Sequence, residues 1–250
     1  MPHTVTADQP IDSPRVQHAA SVAQAHLGAR VVARIALILP FFLALLLLTA
    51  GTWKYWQGWA WICCSIGPAA IFFAFLVKYA PEVMERRLQN REEVGVQKNL
   101  VRLLKPLFGV ALCLPGLDQR FGWSQRLFGA VPAWLSIAAD GAVLAGVLLA
   151  VWVIRVNEFA SRTIRVEAGQ PVITTGPYRL VRHPMYSGSV LVWGATSLAL
   201  GSYVAFPAFA ALIPFYVVRL LNEEKVLRVE LAGYADYCER TRYRLIPFVW

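Results

Sequence analysis

Residues 31–50 read VVARIALILPFFLALLLLTA, and residues 57–78 are as apolar and slightly longer. A helix rises 1.5 Å per residue, so about 20 such residues cover the roughly 30 Å hydrocarbon layer of a bilayer. Two such runs joined by GTWKYWQGW make a membrane hairpin, because the connector carries the Trp and Tyr that concentrate at membrane–water interfaces. A mean hydropathy of +0.50 with only 16% charged residues supports the same class for the whole chain.

Residues 133–154 form a further span, and residues 186–201 and 203–218 form a tight hairpin through GSY. Residues 104–117, LKPLFGVALCLPGL, are short and carry Pro106 and Pro115. Charge bias decides their path. If they cross, Arg155, Arg162, Arg165, Arg179 and Arg182 lie on the cytoplasmic side; otherwise all five fall outside, against the positive-inside rule. The expectation is therefore an all-α polytopic integral membrane protein of six transmembrane helices, five if residues 104–117 do not cross, with both termini cytoplasmic. Residues 1–28 read as a mobile cytoplasmic tail, 29–129 as N-terminal spans with an amphipathic cytoplasmic segment, and 130–250 as the functional core.

The net charge of +9 follows largely from topology, so no nucleic-acid partner is expected. Cys63, Cys64, Cys113 and Cys238 show neither a CxxC pair nor metal-ligand spacing, and no metal is expected. The partner that the composition implies is the lipid bilayer.

Between two spans lies TTGPYRLVRHPMYSGS, residues 174–189. Pro184 pushes His183 into an extended conformation and suits the first turn of a helix, whose free N–H groups would hold an anion. Gly176-Pro177 is a turn signal that brings Tyr178 back toward His183 and Tyr186. Gly188 and Gly194 would let another helix or a ligand approach. In the second cluster, RLLNEEKVL, Arg219 and Glu223 are four apart and share one helix face. Gly233 stops that helix, and Tyr234, Tyr237, Arg242, Tyr243 and Arg244 follow. Taken singly, each arginine reads equally well as topogenic, each tyrosine as part of an aromatic belt, and His183 as a satisfied interfacial residue. The two clusters together, each with its own turn residues, point to a site.

At VITTGPYRLVRHPMYSG, RLLNEEKVL and GYADYCERTRYRLIP the chain resembles the isoprenylcysteine carboxyl methyltransferase family, itself related to phospholipid N-methyltransferases. The resemblance covers about residues 130–250 and implies S-adenosyl-L-methionine as methyl donor and a lipophilic or prenylated acceptor, the carboxylate of an isoprenylcysteine first among them. It implies cofactor contacts at Gln170, Val172, Ile173, Tyr178, His183, Pro184, Met185, Tyr186 and Glu223, and an acceptor contact at Arg219, with Arg219 and Glu223 as the catalytic pair. The closing stretch YCERTRYRLIPFVW also resembles membrane sterol reductases, which implies an NADPH-dependent reductase as an alternative. A non-catalytic membrane module is the third reading.

Overall fold

In the computed structural model, residues 14–89, 95–159, 166 and 169–250 are described, and among them every regular element is helical. Helices α1 (Pro14–Ala50), α2 (Trp56–Tyr79), α4 (Gly95–Phe121), α6 (Ala133–Val156), α7 (Pro184–Ala199) and α9 (Ile213–Glu230) are the long rods. Short helices α3 (Pro81–Gln89), α5 (Trp123–Leu127), α8 (Phe206–Ala210) and α10 (Tyr234–Arg240) join or follow them, and a 3-10 turn spans Gly176–Arg179. Residues 25–50, 56–79, 133–156 and 206–230 are each long and apolar enough to cross a membrane, the last of these running through α8 into α9. Such segments become helices because a bilayer offers no water to satisfy backbone N–H and C=O groups. Their outermost side chains, among them Leu37, Leu48, Ile71 and Ile137, are large and apolar.

Cross-contacts set the direction of each rod. The Tyr55 hydroxyl donates to the Leu200 carbonyl at 2.6 Å and Trp61 Nε1 to Thr196 Oγ1 at 3.1 Å, so α2 and α7 run antiparallel. Ser136 Oγ donates to the Leu198 carbonyl at 3.0 Å while Gly146 abuts Gly188, which makes α6 and α7 antiparallel too. Phe42 meets Phe108 at 6.5 Å between ring centroids, and Thr49 meets Gly116, so α4 runs parallel to α1. Among the described residues six rods therefore run between two ends of the bundle, but α4 and α7 are not among the four segments long and apolar enough to cross a membrane, where six crossings were expected; α1 begins at the end where α9 and α10 finish.

The segment at 104–117 belongs to this pattern. It is the second half of one 27-residue helix with Pro106 and Pro115 inside it. Prolines are tolerated in membrane helices because neighbouring helices and local adjustments satisfy the freed backbone groups. At the far end, buried Asp118 accepts from the Ser124 amide at 2.7 Å, from the Ser124 hydroxyl, and from the Ser202 hydroxyl at 2.5 Å. Ser124 Oγ in turn accepts from the amides of Tyr203 and Val204. This knot ties the end of α4 to the α7–α8 connection. In the connector between α1 and α2, Trp53 and Trp59 stack at 6.5 Å between ring centroids.

The structure corrects several boundaries. Residues 14–28, expected within a mobile tail, are helical, consistent with their alanine-rich sequence, and Leu27 is buried against Phe72 and Leu76 of α2. Residues 1–13, Arg162 and Arg165 lie outside the described residues. The last span continues past 218 to Glu230, so Arg219 and Glu223 lie within the helix. Gly194 has no neighbouring atoms within 4 Å of where a Cβ would stand, so of the two glycines on α7 only Gly188 marks a close approach.

Candidate functional site

The site forms at the end of the bundle where α6 finishes and α7 begins. The backbone leaves α6 at Asn157, whose side-chain amide donates to the Tyr178 hydroxyl at 2.9 Å. The Tyr178 carbonyl accepts the Tyr237 hydroxyl at 2.7 Å, which binds the 3-10 turn to α10. His183 precedes α7 with φ −125° and ψ 61°, out of the helical region as Pro184 requires but short of the extended conformation expected. Its amide donates to the Arg244 carbonyl at 3.0 Å, and the Arg182 amide donates to the Tyr243 carbonyl at 2.8 Å. The helix start thus offers few free N–H groups. Pro184 has none, and the amides of Tyr186 and Ser187 both close onto the His183 carbonyl. The anion site expected of an open helix terminus is not what the backbone presents.

Two adjacent carboxylates on α9 take separate roles. Glu223 Oε2 accepts the Tyr186 hydroxyl at 2.6 Å, and Arg219, one turn earlier, also hydrogen-bonds the Tyr186 side chain. Tyr186 therefore joins Arg219 and Glu223, as the shared helix face required. Its ring also meets those of His183 at 6.0 Å and Tyr216 at 6.4 Å.

Glu224 was not singled out by the sequence, and it is the most heavily used acid here. It is 3% exposed and binds Arg182 at 2.9 Å, Arg228 at 3.1 Å and Arg244 at 2.7 Å. Arg182, itself buried, also donates from Nη1 to the carbonyls of Thr241 and Arg242 at 3.0 and 2.9 Å. One carboxylate thus locks residues 241–244 over the start of α7. The only sequence signal was the second Glu of NEEK, with no periodicity to separate it from the first.

His183 lies under this lock. Burial, reinforced by the nearby Arg182 and Arg244 and opposed in part by Glu224, lowers its pKa to about 4. It is neutral at pH 7. The Tyr234 hydroxyl lies 3.4 Å from its Nε2, and burial raises the Tyr234 pKa, so that hydroxyl keeps its proton. Linkage gives a measurable consequence. Below the ordinary histidine pKa of about 6.5 the unfolded chain binds a proton that the folded chain refuses, so stability falls as pH drops from about 6.5 toward 4. The full effect is about 3 kcal/mol. His183→Gln should flatten that part of a thermal-melting profile in detergent; an unchanged profile would mean that His183 titrates elsewhere.

The remaining expected residues diverge. Val172 packs with Tyr178, Leu231, Tyr234 and Tyr237 in one apolar cluster, and Gln170 and Ile173 are half-buried nearby in sequence. Pro184 is buried, while Met185 packs toward Leu27, Phe72 and Ile154 in another cluster. The structure brings together His183, Tyr186, Arg219 and Glu223, links Tyr178 to them through Tyr237 and Tyr234, and packs Met185 into a separate apolar cluster. Asp140, buried in α6 with no hydrogen bond to its carboxylate among the described residues, lies toward the other end of the bundle.

The cluster supplies aromatic walls, a carboxylate and a cation close to one another at one end of the bundle. Arg182 Nε is buried without a hydrogen-bond partner among the described residues. Such a set fits a cationic nucleoside carrying its own carboxylate. On α6, Leu148, Val151, Trp152, Arg155 and Val156 line an open cavity of about 510 Å³. Its Trp152 and Val156 stand beside Gly176.

Comparison with known proteins finds a partial similarity over this region. Residues 134–231 match the family model PEMT, phospholipid methyltransferase. A 94-residue stretch is 32% identical to the Delta(14)-sterol reductase TM7SF2 of Mus musculus, covering 35% of this chain and 22% of that protein. The chain therefore spans about a fifth of the length of that curated relative.

Proposed function

We propose that this protein is a membrane methyltransferase that uses S-adenosyl-L-methionine and methylates a lipid-like or prenylated acceptor, the carboxylate of an isoprenylcysteine being the acceptor that its chemistry suits best. The observation that carries the reading is Tyr186 held between Glu223 and Arg219 at the start of α7, inside a segment matching a phospholipid methyltransferase domain.

The cofactor supplies an electrophilic methyl group on a sulfonium. Glu223 would face that positive charge, while the rings of Tyr178, Tyr186 and Tyr234 would provide walls for a nucleoside and π faces for the cation. Arg219 pairs with an anionic acceptor and aims its oxygen. A carboxylate acceptor is already ionised at neutral pH and needs no general base. Positioning and exclusion of water then provide most of the rate. The cavity on α6, apolar except for Arg155, supports an acceptor arriving sideways from the bilayer.

The division of roles is testable by calorimetry with S-adenosylhomocysteine on detergent-purified protein. Glu223→Gln should weaken binding at least tenfold, whereas Arg219→Ala should leave it within about threefold and lower acceptor turnover. Equal losses in both would undo the assignment. The sterol reductase relative supports a second reading, NADPH-dependent reduction. Binding of NADPH but not S-adenosylhomocysteine would favour it, and binding of neither would favour a non-catalytic module.

We place the site on the cytoplasmic side. The end of the bundle that holds it carries Arg30, Arg34, Lys78, Arg155, Arg179, Arg228, Arg240 and Arg242, whereas the opposite end carries Lys54, Arg120 and Arg126. In intact cells, Arg126→Cys should react with an impermeant maleimide and Glu239→Cys should not; the reverse pattern would invert the topology.

A further inference from the structure

Residues 245–250 form a small closed knot. The amides of Leu245 and Ile246 donate to the Trp250 carbonyl at 2.8 and 3.0 Å, and those of Val249 and Trp250 return to the Ile246 carbonyl at 3.1 Å. Phe248 takes φ +65°, a left-handed conformation that L side chains rarely adopt and that the surrounding hydrogen bonds must impose. The result is to turn apolar side chains outward: Ile246 is 50% exposed, Phe248 87% and Val249 73%. Arg244 lies over the Trp250 ring at 5.3 Å, and Tyr243 packs on Phe248 at 5.4 Å, so the knot is held rather than loose.

Its place can be read from its partners. Tyr243 accepts from the amide of Arg182, Arg244 from that of His183, and Leu245 from the Ser187 hydroxyl at 2.6 Å. Ser187 lies in the first turn of α7, and its hydroxyl also reaches back to the His183 carbonyl at 3.3 Å. The chain therefore runs beside the first turn of α7 before it closes the knot.

We infer that residues 246–250 are a membrane-inserted anchor, with Ile246, Phe248 and Val249 seated among lipid acyl chains at the headgroup boundary. The bilayer is the occupant because Leu191, one turn beyond Ser187 on the same face of α7, is also an exposed large apolar side chain. Exposed Arg240 and Arg242 just before it suit phosphate headgroups. The inference does not depend on the proposed methyl transfer.

The test is photocrosslinking in phosphatidylcholine nanodiscs, with p-benzoylphenylalanine placed singly at positions 248, 148 and 239 of the full chain. Position 148 lies on a lipid-facing span and 239 on the exposed side of α10. Lipid adducts at 248 should match those at 148 within about threefold and exceed those at 239 at least tenfold. A yield at 248 no higher than at 239 would overturn the inference, as would crosslinks from 248 to protein alone.

Discussion

Glu224→Gln should lower the melting temperature of the detergent-solubilised protein by on the order of 10 °C, the larger of the two biggest effects expected in this chain. The substitution keeps the shape and removes the charge. Arg182 is 6% exposed and has Glu224 as its carboxylate partner at 2.9 Å. Breaking a buried ion pair from one side costs about 3 to 5 kcal/mol, since the stranded cation stays out of water. The other two arginines matter less. Arg228 and Arg244 have side chains 45% and 31% exposed, and water screens what they lose. Arg228→Ala is therefore the control and should cost below about 1 kcal/mol.

A second readout separates local from general loss. Arg182 and Glu224 together hold residues 241–244 against α7, so Glu224→Gln should expose the peptide bonds after Arg242 and Arg244 to trypsin before the spans unfold. Melting within about 2 °C of wild type, with unchanged cleavage, would show that the lock is ornamental.

The contrast between the two neighbouring glutamates marks how far a sequence can be read. Positions 219 and 223 share a face by helical periodicity, and Tyr186 does meet both. Glu224 is one residue on, about 100° around the helix, and nothing local says that three arginines from the loop before α7, from α9 and from the closing segment will converge there. Its partners lie 42, 4 and 20 residues away in the chain. The covering segment shows the same limit, because its bonds to Arg182 and His183 are made between backbone groups 61 residues apart, and backbone groups leave no trace in side-chain pattern. Apolar runs located the four segments long and apolar enough to cross a membrane, whereas the crossing that the arginine bias argued for residues 104–117 falls on a helix outside those four. The length of α4 escaped notice because its charged first half looks like a surface segment until it packs beside α1.

Gly188 carries the last prediction. A Cβ there would stand 2.8 Å from the Gly146 carbonyl, and one on Gly146 would stand 2.7 Å from the Gly188 carbonyl and from Val192 Cγ2. The obstacles are mainly backbone atoms, which cannot swing aside as a side chain would. Each helix rests its carbonyl on the other's α-carbon, the close packing that small residues permit between membrane helices. Gly188→Ala must push α6 and α7 apart by several tenths of an ångström, an overpacking cost of about 1 to 3 kcal/mol. Gly194→Ala, on the same helix with open space around it, should leave stability unchanged or raise it by about 0.5 to 1 kcal/mol through helix propensity. The displacement reaches the site because Tyr186 is two residues from Gly188 and its hydroxyl sits 2.6 Å from Glu223 on a different helix. Gly188→Ala should therefore weaken S-adenosylhomocysteine binding as well as stability, and Gly194→Ala neither. If the two variants melt and bind alike, the α6–α7 contact does not position the start of α7, and the Tyr186–Glu223 geometry must be held by the Glu224 lock alone.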